Sequence, residues 1–282
     1  DKPLKEKDYS YKRHIGWNID LLINFLNLND VTVVLQDWGG LIGLRVVAAH
    51  PGSFRRLVIA NTMLPTCDDS FFKISEAFYS WKTFAFRTGL KDKIWTEERG
   101  GRWPSQILKQ KGIGPSNPIM DPKERAAYDA PYPTENSKAG ARIFPELVPT
   151  PPNDPTGRPN IKEAENNAAA WSVFQKFTKP VLLAFSDEDT VMAGGDAIWL
   201  IHCPGTKHNG VEHITIKGVG HFLQDGGSEQ MVQAIEKFIT ATPSTSIKPF
   251  CAYPISEELE IVKKNDAEIA ANLRALSHGD IG

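Results

Sequence analysis

Apolar and polar positions along the chain change their period several times, and each change marks an element. Trp17, Leu21 and Phe25, with Leu22 and Leu26, recur at i,i+4 spacing, which predicts a helix over 11–27 with one apolar face. Asn29 and Asp30 end it. Residues 31–36, VTVVLQ, form a β-branched apolar run, which predicts a buried strand. The run stops at Asp37, Trp38, Gly39 and Gly40. A helical pattern over LIGLRVVAAH follows and is stopped by Pro51 and Gly52. RRLVIANT (55–62) predicts a second short buried strand. Strand, helix and strand in this order imply parallel pairing in a layered α/β domain.

From about 66 to 170 the pattern changes. Aromatic-rich helical stretches such as FFKISEAFYSWKTFAF alternate with Pro- and Gly-rich loops, and strand signals nearly vanish. This stretch reads as a helical insertion. KPVLLAF (179–185) and VEHITIKG (211–218) restore the strand pattern, and SEQMVQAIEKFIT (228–240) predicts a closing helix. PSTS (243–246) reads as a linker, and Ile269, Leu273 and Leu276 predict a helix in the tail at 256–277. The expected organisation is therefore a core over 1–65 and 171–242, a helical cap over 66–170, and a linker with a helical tail over 243–282.

Composition narrows the function classes. Of 282 residues, 41% are hydrophobic and 23% charged, with a formal net charge of −2 and no basic run, so nucleic acid is not the expected partner. Cys67, Cys203 and Cys251 are scattered, without a CxxC pair, which fits a reducing compartment better than a disulfide framework. No apolar run reaches membrane-spanning length, and the polar start DKPLKEKDYSYKR is unlike a signal peptide. A cytoplasmic, monomeric protein with no cofactor and no bound metal is the expectation.

The chemistry concentrates where strands end. An apolar strand breaking into a Gly-rich turn and then a helix is the signature of an elbow that pushes out a reactive side chain. Here that side chain is the carboxylate of Asp37, where a Ser or Cys would serve acyl transfer. A carboxylate nucleophile suits attack on an alkyl carbon, with an ester intermediate cleaved by water. Asp189 follows the strand 179–185, and His221 follows the last strand in GVGHF, both at the end of the sheet where α/β sites lie. Each has a plainer reading on its own: Asp37 as a helix N-cap, Asp189 as a solvated turn carboxylate, His221 as a hydrogen-bonded structural histidine. The chain order acid, acid, histidine favours the chemical reading of all three.

QDWGG (36–40), AYDAPYP (127–133), KAGARIFPELVP (138–149), AFSDED (184–189) and GHFLQ (220–224) resemble the haloalkane dehalogenases of the α/β-hydrolase fold. The resemblance runs from residue 1 to about 240. It implies an α/β-hydrolase core with an inserted helical cap. It also implies displacement of halide by Asp37, and hydrolysis of the resulting ester by water that His221, oriented by Asp189, deprotonates. Substrate would be a small apolar halogenated molecule, with water as co-substrate and halide as product. Trp38 would donate its indole N–H to the halide, and Trp103 would be the second donor, chosen over Trp81 and Trp95. Of the family's two positions for the orienting acid, ANTMLPT after the second strand offers no carboxylate before Asp68, which leaves Asp189.

The same resemblance implies several strands ahead of the helix at 11–27, with a His-Gly-x-Pro type loop that supplies an oxyanion-hole N–H. Nothing here matches that block, and the chain starts at Asp1 rather than Met, so it reads as N-terminally truncated, lacking the opening strands of the sheet. Loss of one oxyanion donor would cost about 3 kcal/mol in the hydrolytic step. Two alternatives follow: an epoxide hydrolase with the same Asp/His/Asp set and Tyr128 or Tyr132 as acid, or a non-catalytic remnant acting as a binding module. Gln36 rather than His before Asp37 leans away from epoxides.

Overall fold

Four parallel strands carry the fold in a computed structural model that describes residues 2–87 (except 67, 69 and 72) and 130–243 (except 135 and 158), with 123, 126 and 127. They are β1 (Val31–Gln36), β2 (Phe54–Ala60), β3 (Val181–Ser186) and β4 (Ile214–Ile216), in the order β1-β2-β3-β4. Val34 pairs with Val58, Leu57 with Val181, and Ala184 with Ile214. Because all four run the same way, their carboxyl ends share one edge of the sheet.

The described helices are α1 (Tyr11–Ile19), α2 (Asp37–Ala49), α3 (Glu76–Arg87), α4 (Ala139–Leu147), α5 (Ile161–Phe174), α6 (Gly195–His202), α7 (Leu223–Gly226) and α8 (Ser228–Ala241). Side chains alternate across a strand, so β2 and β3 feed two cores. Leu57, Ile59, Val181 and Leu183 pack with Leu44, Val47, Phe174 and Trp199 on one face. Val58, Ala60, Leu182 and Ala184 pack with Met231 and Phe238 of α8 on the other. Cover on both faces explains why these strands read as unbroken apolar runs. On β1, Leu35 is buried but Val34 is 48% exposed, and among the described residues β1 has a strand neighbour on one side only.

Two expectations are corrected. The helix predicted over 11–27 is α-helical only to Ile19 and continues as a wider π turn over Asp20–Phe25. The buried face is Tyr11, Ile15 and Ile19, while Leu21 and Phe25 stand exposed. The wider turn rotates later residues off the α-helical stripe. The strand predicted over 211–218 pairs only at Ile214–Ile216. Helix α6 was not anticipated; its GDAIWLIH starts after a Gly in the left-handed region, without a side-chain cap.

Two buried polar ties fix helices to their surroundings. Lys82 of α3 donates to Asp154 at 2.5 Å and to Thr150 at 3.1 Å, with both charged side chains fully buried. Arg45 of α2 pairs with Glu163 of α5 at 3.1 Å. Among the described residues no helix is long and apolar enough to cross a membrane, and no cluster of His, Cys, Asp and Glu could hold a metal ion.

Candidate active site

Asp37 sits where β1 turns into α2. Its φ of +48° is in the left-handed region, unusual for a residue with a Cβ. The neighbouring loop holds it there: its N–H donates to the Asn61 carbonyl at 3.1 Å, and its carbonyl accepts from the Thr62 hydroxyl at 2.7 Å. Gly40 makes the approach possible, since a methyl group there would occupy the space of the Thr62 side chain. From α5, Trp171 and Asn167 donate to the carbonyls of Leu64 and Pro65 at 2.8 and 2.9 Å, fixing the segment that follows β2.

The carboxylate of Asp37 accepts from His221 Nε2 at 2.8 Å, and His221 Nδ1 donates to Asp189 Oδ2 at 2.7 Å. Two flanking acceptors require both ring nitrogens to carry a proton, which makes the imidazole a cation. Burial by itself would lower the His221 pKa, yet the hydrogen bonds and charges of Asp189 and Asp37 push it up to about 10. Partial burial works against the charge on Asp37 as well. The bond and charge of His221, with the Trp38 amide, nevertheless hold its carboxyl below the usual range. The other oxygen of Asp189 accepts from the amides of Val191 and Met192 at 2.8 and 3.0 Å, so this acid is locked in orientation. Its neighbour Asp187 is committed elsewhere, accepting from the Gly218 amide at 2.9 Å.

Trp38 lies in the first turn of α2, edge-to-face against Tyr11 (5.5 Å) and Phe144 (4.6 Å). Among the described residues its indole N–H has no acceptor. The N-terminal end of a 13-residue helix also favours negative charge at this point. Trp81 instead packs against Phe78 at 5.8 Å. Tyr132 lies under the Lys2 ammonium, 4.0 Å from its ring centre. Trp103, Trp95, Tyr128, Cys67, Cys251 and the helix predicted at 256–277 lie outside the described residues. The buried Cys203 thiol is pushed up to about 12 by burial, which removes it from nucleophilic chemistry near neutral pH.

The structure thus brings Asp37, Asp189 and His221 together and sets Trp38 beside them. Sequence reasoning passed over Asn61, which holds the same post-strand position on β2 that Asp37 holds on β1. The signal was there, a polar residue straight after a buried strand, but only carboxylates were sought at that point.

A parallel sheet with a strand-to-helix elbow, and an acid–histidine pair reaching that elbow from later strand ends, defines the α/β-hydrolase class. No family model matches the chain. A haloalkane dehalogenase of Psychrobacter cryohalolentis is 41% identical over 243 residues, covering 86% of this chain and 71% of that relative. One from Mycolicibacterium paratuberculosis is 37% identical, over 83% and 68%. The solved tetrameric haloalkane dehalogenase DpaA of Paraglaciecola agarilytica aligns with a TM-score of 0.61 and 26% identity, over 84% of this chain and 69% of that one. The chain belongs to the haloalkane dehalogenase family, a family of hydrolytic enzymes.

Proposed function

We propose that this chain hydrolyses carbon–halogen bonds of small apolar haloalkanes, with Asp37 as nucleophile, His221 as base and Asp189 as its orienting acid. The observation that carries this reading is the unbroken chain of contacts Asp189–His221–Asp37, 2.7 and 2.8 Å, ending on a carboxylate at the elbow. An Asp37 oxygen attacks the carbon bearing the halogen. The carbon–halogen bond breaks with its electron pair on the halide, and an alkyl ester of Asp37 remains. The halide is received by the Trp38 indole N–H and the N-terminal end of α2, with Trp103 as second donor.

Esterification removes the negative charge of Asp37. The imidazole loses one of the two anions that hold its proton, so His221 gives that proton up to solvent more readily and its neutral form serves as base at the step that needs one. It then takes a proton from water as the water oxygen attacks the ester carbonyl, and the Trp38 amide donates to the oxygen that gains charge. Collapse of the intermediate releases the alcohol and restores the Asp37 carboxylate. In sum, haloalkane and water give alcohol, halide and a proton. No cofactor enters the sequence.

A core over 1–65 and 171–242 with a cap over 66–170 accompanies this assignment. The buried Lys82–Asp154 pair supports it by tying two segments of that cap together. All the proposed catalytic groups come from one chain, which fits a monomer as the working unit, and the scattered cysteines of the sequence, without a CxxC pair, fit the cytoplasm as compartment.

The test is trapping. With 1-bromobutane, His221→Gln releases one bromide per chain and then stops, with a butyl ester on Asp37 visible by mass spectrometry. Asp37→Asn releases none. Continued turnover by His221→Gln, or an adduct elsewhere, would overturn the mechanism. Diol formation from styrene oxide without bromide release would place the chain among epoxide hydrolases instead.

A further inference from the structure

We propose that Asn61 is a positioning residue that holds the base against the nucleophile and so governs ester hydrolysis rather than halide displacement. The inference rests on the assignment of Asp37 and His221 above. Asn61 is fully buried at the carboxyl end of β2, between the strands that lead to Asp37 and to Asp189. Its backbone carbonyl accepts the Asp37 N–H at 3.1 Å. Its side-chain amide faces the other way. Nδ2 donates to the Ser186 hydroxyl at 2.7 Å and lies 3.3 and 3.4 Å from the carbonyls of Gly220 and His221. Oδ1 accepts the Ser186 N–H at 2.9 Å, and the Ser186 hydroxyl donates to the Gly220 carbonyl at 2.8 Å. Gln36 adds a bond from Nε2 to the His221 carbonyl at 3.0 Å.

One residue therefore touches all three arms of the site, with a division of labour. The backbone of Asn61 serves the elbow, and its side chain serves the loop that carries His221. Its φ of +36° adds a second constraint. Asparagine tolerates the left-handed region better than most residues with a Cβ, and glycine tolerates it freely. Asn61→Gly accordingly keeps the carbonyl that holds Asp37 and deletes only the amide that holds the 220–221 loop. Alanine would confound the two by straining the backbone.

The steps separate in a rapid-mixing experiment on the full chain with 1-bromobutane. In Asn61→Gly the bromide burst should keep its amplitude of one per chain and its rate within about threefold. The following ester hydrolysis should slow about 10- to 100-fold, as expected for an imidazole misplaced by a fraction of an ångström to an ångström. Accordingly kcat falls while kcat/KM, fixed by the displacement step, holds. Ser186→Ala, which removes the hydroxyl between Asn61 and Gly220, should show the same split to a lesser degree, and it decides the matter if Asn61→Gly does not fold. Hydrolysis within about twofold of the unmodified chain, or equal losses in both steps, would overturn the proposal. The unmodified chain separates the two levels of inference. If it releases bromide from 1-bromobutane and the variants show no split, only the role of Asn61 falls. If it releases no bromide, the mechanism falls and Asn61 with it.

Discussion

Replacing Asp37 by asparagine isolates the charge that keeps a proton on His221. In the resting site the imidazole is buried between two carboxylates and its pKa is pushed up to about 10. Two unit charges about 4 Å apart attract by about 4 kcal/mol at an effective dielectric near 20, which corresponds to about 3 pH units of titration. The Asp37 side chain is 37% exposed, and water screens it, so the expected change is smaller, about 2 units. Asp189, buried and pinned by two amides, continues to support the cation. NMR of the imidazole nitrogens against pH should show the His221 midpoint in Asp37→Asn about 2 units below that of the unmodified chain. The raised pKa also has a consequence for stability. It lies above the ordinary histidine value of 6.5, so its contribution is fully present below pH 6.5 and is lost as pH rises through about 10. The alkaline loss of thermal stability should therefore be shallower in Asp37→Asn. Midpoints within about half a unit of each other would refute the coupling, and with it the idea that esterification switches His221 into a base.

Lys82→Met should destabilise the fold by about 3–5 kcal/mol in urea unfolding, because Asp154 is left charged and fully buried. Lys82→Met with Asp154→Leu should recover most of that loss. Burial opposes ionisation of Asp154, but Lys82, Thr150 and Thr156 hold its carboxyl below the usual range. The contribution of this pair is therefore present above about pH 4 and fades as pH falls through the lowered value, read from melting curves at acid pH. Gly40→Ala should cost about 1–3 kcal/mol by overpacking against Thr62 and should slow the bromide burst, since the Thr62 hydroxyl that holds the Asp37 carbonyl must move.

The elbow was legible because its signal is local: a strand run, an acid and two glycines within ten residues. The partnership of Asp37 with His221 and Asp189 was legible only as chain order, since no short-range pattern encodes contacts across 184 residues. The π turn after Ile19 was hidden because i,i+4 spacing is the same whether or not one turn widens. Helix α6 escaped because eight residues with a glycine cap give neither a boundary signal nor a clear apolar stripe. Asn61 escaped for a different reason. Its importance lies in what its two ends touch, and composition does not record that.

The distance along the chain between Asp37 and His221 also has a meaning in time. Local helices form in about a microsecond, whereas a parallel sheet must close long loops before its strand ends meet. The last strand in chain order, β4, is three residues long and leads directly into the loop that carries His221. Activity thus reports the ordering of this loop rather than of the helices. In a refolding experiment, helical signal should return well before the capacity to release halide, and the gap between them measures how long the chain exists as a folded sheet without a working site.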